Sequence, residues 1–113
     1  MGLFDFFRRR TPPRVVITET SVVYTRSNGT LESVQHDDLR EVVILTTDDG
    51  PFSEDVFFVL FGTDKTSGCC VAQGAEGCDK LLEHLQKLPG FDNEAVVKAM
   101  GSTSNGKFLC WKK

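Results

Sequence analysis

The chain has 113 residues, 40% of them hydrophobic and 26% charged, with a formal net charge of −3. That length fits one domain that can bury a continuous core, and nine phenylalanines at an ordinary charge content exclude a disordered chain. The cysteines at 69, 70, 78 and 110 include an adjacent pair and show neither C-x-x-C nor another recurrent zinc spacing, and a disulfide framework is not expected.

The chain opens with MGLFDFFRRR. Its charges follow a short apolar run, so a secretory signal is not expected, and no run approaches the length of a membrane span. A cytoplasmic location with reduced thiols is the expectation. Up to Arg14, four arginines against Asp5 give +3, which leaves −6 on the remaining 99 residues. Leu3, Phe4, Phe6 and Phe7 followed by Arg8, Arg9 and Arg10 have the composition of a reversible membrane contact. Ten residues make little helix alone, and Phe6 stands where an N-myristoylation pattern needs Ser or Thr. A tail that is mobile, or docked on its own or a partner's sheet, is the favoured expectation.

Pro12-Pro13 forbids helix and sets a boundary, with residues 1–13 as a tail and 14–113 as one domain. "RVVITE" and "SVVYTRS" read as β-branched strands, and Asn28-Gly29 reads as a two-residue type I′ turn into "TLESVQ". That turn places Val23 opposite Val34 and Thr25 opposite Glu32. "DLREVVILTT" and "DVFFVLFG" are the most apolar runs; Val56–Phe61 has no polar residue on either face, so it belongs at the centre of a sheet. "SGCCVAQ" adds a further strand, giving an antiparallel meander of six.

The period then changes. Cys78, Leu81, Leu82, Leu85 and Leu88 form one stripe of an amphipathic helix that Pro89-Gly90 stops. Asp92 caps a second, short helix, with Phe91 packed back on Val96 and Gly101 ending it. "KFLCWKK" is a last strand, with Phe108 and Cys110 on one face and Leu109 and Trp111 on the other. The expected fold is α+β: an antiparallel sheet or partly closed barrel of about seven strands, one amphipathic helix and a short second one.

The order "ITET…VVYTR-NG-TLESVQHDDLREV", with Asp38-Leu39 introducing a strand and a helix laid across the sheet, resembles the bacterial PH-like domains. The resemblance covers roughly residues 14–88. "LTTDDGPFSEDVFFVLFG" and "LQKLPGFDNEAV" are similar to a group of short uncharacterised bacterial proteins, a likeness that implies no activity.

The candidate chemistry lies in carboxylates. Glu32, Asp37, Asp38, Glu41, Asp48, Asp49, Glu54 and Asp55 stand against the single cation Arg40, which puts −7 on residues 32–55. Asp48 to Asp55 lack the ligand alternation of a calcium loop, and exposed turn acids stay ionised, so neither a metal site nor acid–base catalysis is expected. His36 and His84 read as surface histidines remote from each other. Cys69 and Cys70 point to opposite sides of one strand and cannot share a metal. The acidic body argues against nucleic acid. The expectation is a non-enzymatic module without cofactor that binds a basic protein surface through the eight acids. A membrane-peripheral adaptor using residues 3–10, or a small enzyme using carboxylates or thiols, are the competing readings.

Overall fold

The computed structural model describes residues 13–47, 56–63, 67–102 and 105–113. Seven strands form one antiparallel sheet: β1 Arg14–Ile17, β2 Ser21–Thr25, β3 Leu31–Gln35, β4 Leu39–Thr46, β5 Val56–Gly62, β6 Gly68–Ala72 and β7 Gly106–Lys112. Helix α1, Cys78–Gln86, and helix α2, Asn93–Met100, follow β6, and a 3₁₀ turn at His36–Asp38 joins β3 to β4. The fold is therefore α+β. No helix among the described residues is long and apolar enough to cross a membrane.

The spatial order is β1-β2-β3-β6-β5-β4-β7. The expected meander breaks at β3, which pairs with β6 rather than β4, through the single register pair Ser33↔Gly68. β1 and β7 are the two ends of the order, so the sheet is open and not closed into a barrel. β5 lies between β6 and β4, in the interior position that its unbroken apolar run demands.

The β2–β3 hairpin differs from the expected one by a single residue. Val22 faces Val34 and Tyr24 faces Glu32, not Val23 facing Val34. The loop holds three residues, closed by Arg26 N–H to the Thr30 carbonyl and Gly29 N–H to the Arg26 carbonyl, both at 2.8 Å. Only Gly29 takes positive φ, at 89°, so Asn28 is not part of a type I′ turn. Its side chain instead accepts from Thr30 N–H at 2.9 Å. A three-residue loop ending in a left-handed glycine is the next commonest hairpin closure, and it brings Val22, Tyr24 and Val34 to the buried side together.

The core lies on one side of the sheet. Val42 and Ile44 of β4, Phe58 and Leu60 of β5, and Cys69 and Val71 of β6 pack with Leu81 and Leu85 of α1 and Ala95, Val96 and Ala99 of α2. The α1 stripe follows its sequence period, and Leu88 extends it beyond the helix end. Asp92 caps α2 as its position demands, accepting from Ala95 N–H at 3.1 Å. In β7 an irregularity opposite Val42/Val43 inserts an extra residue, so both Trp111 and Phe108 sit beside core-side residues, Val42 and Ile44. Trp111 thus lies on the side opposite to the expected one, where it packs on the core and donates from Nε1 to the Pro89 carbonyl at 2.9 Å.

β1 gains a second neighbour at its start. Val15 N–H donates to the Glu76 carbonyl and Glu76 N–H to the Pro13 carbonyl, each at 2.9 Å. The approach needs Gly77, whose φ is 90° and whose added Cβ would stand 2.3 Å from the Val15 carbonyl oxygen. Gly29 has the same kind of φ but open space around it. In urea titrations Gly29→Ala should cost about 1–2 kcal/mol from the left-handed backbone alone, whereas Gly77→Ala should cost above roughly 3 kcal/mol. Equal losses would show that the β1–Glu76 contact contributes little.

Candidate functional site

The strand register sorts the remaining side chains onto the side of the sheet away from the helices. Across β7-β4-β5-β6, one row reads Leu109, Val43, Val59 and Cys70, and the next reads Lys107, Leu45, Phe57 and Ala72. A third row, with Lys112 and Glu41 at one end, carries Phe61, Gly68, Ser33, Val23 and Val16 across the remaining strands. Leu31 lies on the same side of β3. Leu31 is 66% exposed, Leu109 48%, Val16 46% and Phe61 43%. Scattered exposed apolar residues are ordinary, but these share one face, and a shared face is what marks an interaction surface.

At the seam between the two parts of the sheet the backbone pairing thins out, and side chains stand in for it. Glu32 Oε1 accepts from Cys70 N–H at 2.9 Å, and its other oxygen lies 3.5 Å from Arg26 Nη1. Tyr24 Oη accepts from Ala72 N–H at 3.5 Å. Burial raises the Tyr24 hydroxyl pKa above its ordinary value, so it stays a neutral partner. A shallow groove of about 500 Å³, lined by Leu31, Glu32, Phe61, Gly68 and Cys70 among others, runs along this seam.

The expected acids are distributed as follows. Asp48, Asp49, Glu54 and Asp55 lie outside the described residues, as do Leu3, Phe4, Phe6, Phe7 and Arg8–Arg10 of the tail. Glu32 is engaged at the seam. Asp37 and Asp38 sit in the 3₁₀ turn at the start of β4, the opposite end of that strand from Thr46, which pairs with Val56. Asp38 is structural there: Thr63 and the Ser67 hydroxyl, the latter at 3.0 Å from Oδ2, hold its carboxyl below the ordinary value. Glu41 is on the outer face, opposite Lys112.

His36 and His84 form a contact that their separation in the chain concealed. Their rings lie 4.7 Å apart between centroids and are tilted by 42°, contrary to the expectation of two remote surface histidines. His36 Nε2 lies 2.8 Å from the Thr18 carbonyl, which can only accept, so that nitrogen carries the proton. His84 also lines a groove of about 680 Å³ between β1 and α1, with Arg14, Glu76, Asp79, Lys80, Glu83 and Lys87 around it.

Three of the four thiols have their pKa raised by their surroundings. Burial pushes Cys69 up to about 12 and Cys110 up to about 11, with Glu32 and Asp92 respectively adding to the effect. Cys70, exposed as a residue, is raised as well, by partial burial and by Glu32. Thiols protonated at neutral pH are weak nucleophiles. Among the described residues no group of three or more His, Cys, Asp and Glu side chains is placed to hold a metal ion. Comparison with family models, with curated proteins and with solved structures gives no match to this chain.

Burial, His36 and Lys87 lower the His84 pKa from its ordinary 6.5. The unfolded chain therefore binds the proton more readily, and the stability this neutral imidazole provides is complete above about pH 6.5 and is lost as pH falls through the folded value. Chemical denaturation between pH 7.5 and pH 5 should show a declining midpoint in the wild type and a flatter profile in His84→Gln. Parallel profiles for the two proteins would rule out the ring pair as the cause.

Proposed function

We propose that this chain is a non-enzymatic protein-binding domain and that its docking surface is the outer face of the sheet. The observation that carries the reading is the shared placement of Leu31, Phe61, Leu109 and Val16, each more than two-fifths exposed, on the side that the two helices leave free. The partner it fits is a protein segment with apolar side chains for that face and basic residues around them. Charge supports this choice, because the chain beyond Arg14 sums to −6 and residues 32–55 alone to −7. The acids act in this reading as a field that speeds encounter, and the apolar face holds the complex once formed. The likeness to PH-like domains belongs to the same proposal: a hairpin and a helix laid on an antiparallel sheet support it, while the β3–β6 pairing departs from a simple meander.

The test compares two immobilised full-length proteins in a cell extract. Phe61→Ser with Leu109→Ser should leave the melting temperature within a few degrees of the wild type, since both sites are surface positions. Proteins retained by the wild type and lost by this variant are the expected result. For a partner so identified, Asp48, Asp49 and Asp55→Lys should slow association and flatten its dependence on salt. Retention of the same proteins by wild type and variant would overturn the outer-face reading.

A further inference from the structure

β1 is an end strand of the sheet, and the start of its outer edge is taken by the chain itself. Arg14 pairs in parallel with Glu76, through the bonds from Val15 N–H to the Glu76 carbonyl and from Glu76 N–H to the Pro13 carbonyl. Gly77, with φ of 90°, then turns the chain away into α1. Backbone groups of an antiparallel strand point alternately toward and away from the neighbouring strand. Thr18 N–H donates to the Ser21 carbonyl of β2 at 2.8 Å, and Val15 N–H points the other way, to Glu76, so the N–H and carbonyl of Ile17 point outward with those of Val15. Among the described residues neither group of Ile17 has a hydrogen-bond partner. This open stretch of edge borders the groove of about 680 Å³ between β1 and α1, a volume in the range of ligand clefts, about 300–1,000 Å³.

We propose that an extended peptide segment of a partner protein occupies this groove as an additional strand, accepting from Ile17 N–H and donating to the Ile17 carbonyl where Glu76 has left the edge. Three observations select this occupant. The first is backbone chemistry. An unpaired donor and acceptor side by side on a strand edge are complementary to another backbone, the basis of recognition by strand addition. The second is precedent within the molecule, because the Glu76 contact shows that the edge of β1 takes a second strand at this place. The third is charge. Arg14, Lys80 and Lys87 line the groove together with Glu76, Asp79 and Glu83, so three cations balance three anions and a strongly acidic or basic segment gains nothing.

The edge also lacks the devices that close one. Val15, Val16 and Ile17 include neither a proline nor a charge. With α1 flanking it, the open stretch is a channel for one extended chain rather than for a second sheet with its own helix. Side chains of the added strand alternate, one set turned toward α1 and the other lying beside Val16, which is 46% exposed, so an apolar residue in the second set covers Val16. The site is distinct from the outer-face surface and does not depend on it, since its contacts run through the backbone of Ile17.

The experiment pans immobilised full-length protein against a library of random linear peptides and measures a recovered peptide in solution. Binding should slow hydrogen exchange of the Ile17 amide, while the Val16 amide, which points to β2, keeps its rate. Ile17→Pro removes the outward N–H and leaves the bonds to β2 in place, so it should weaken the peptide about ten-fold or more, whereas Ile17→Val should leave the affinity unchanged. The wild-type protein alone gives the same reading: N-methylation along the peptide should abolish binding at the residue that donates to the Ile17 carbonyl. Phe61→Ser with Leu109→Ser should not alter the affinity, which separates this groove from the outer face. Recovery of no peptide, an Ile17 amide that stays unprotected in the complex, or an affinity lost in the Phe61 and Leu109 variant but kept in Ile17→Pro would overturn the proposal. So would contacts between Ile17 of two copies in a mixed-label sample of the free protein, which would make a second copy the occupant.

Discussion

Strands β4 and β5 are apolar on both sides, and the two helices among the described residues cover one side only. Val42, Ile44, Phe58 and Leu60 are sealed under α1 and α2. Val43, Leu45, Phe57, Val59 and Phe61 face the other way. A strand read in isolation satisfies this pattern only if both of its faces are covered, as in the middle layer of a three-layer protein. Two helices of nine and eight residues, both following β6 in the chain, can pave one face. The apolar outer face that the described helices leave uncovered is therefore a consequence of the sequence of β4 and β5 together with the shortness of that helical layer. That mismatch, more than any single residue, is what leaves Leu31, Phe61, Leu109 and Val16 exposed together on the outer face.

The second condition for such a surface is that the two parts of the sheet stay continuous. Among the described residues, the three-stranded piece β1-β2-β3 joins β6-β5-β4-β7 through one strand register pair, Ser33↔Gly68. Gly68 has φ of +147°, and a Cβ there would stand 2.7 Å from the Leu60 carbonyl oxygen, so a side chain at this position would disturb the β5–β6 pairing that flanks the seam. Beyond that point Glu32 and Tyr24 supply acceptors to Cys70 and Ala72, whose N–H groups would otherwise face a diverging strand. Glu32, which by sequence looks like one acid among eight, is therefore a joint, and Asp38 is another through Thr63 and Ser67. Charge reading places acids on a surface; hydrogen-bonding geometry decides which of them are also fasteners.

Local signals in the sequence located the elements well because they depend on neighbours in the chain. The α1 stripe, the Asp92 cap, the hairpin between β2 and β3 and the interior place of β5 all follow from spacing or from turn chemistry. What escaped is set by partners far along the chain. The pairing of β3 with β6 spans thirty-five positions, from Ser33 to Gly68, and no local pattern encodes it. The extra residue opposite Val42/Val43 turned Trp111 to the core side, and only the partner strand reveals it. The hairpin slip has a subtler cause: Asn-Gly is compatible with both a two-residue and a three-residue loop, and burial of Val22, Tyr24 and Val34 together selects the second. His36 and His84 meet because the 3₁₀ turn and α1 converge beside β1, a relation that exists only after the chain has folded.

The claim that one face is sealed by helices while the other presents an open rim can be measured directly with a neutral, soluble gadolinium chelate and methyl-labelled full-length protein. Strong relaxation is expected for Leu31, Val16 and Leu109, and little for Val22, Val34, Val42, Leu60 and Leu81. Uniform protection of both sets, or strong relaxation of the helix-side methyls, would contradict a sheet covered on one side only.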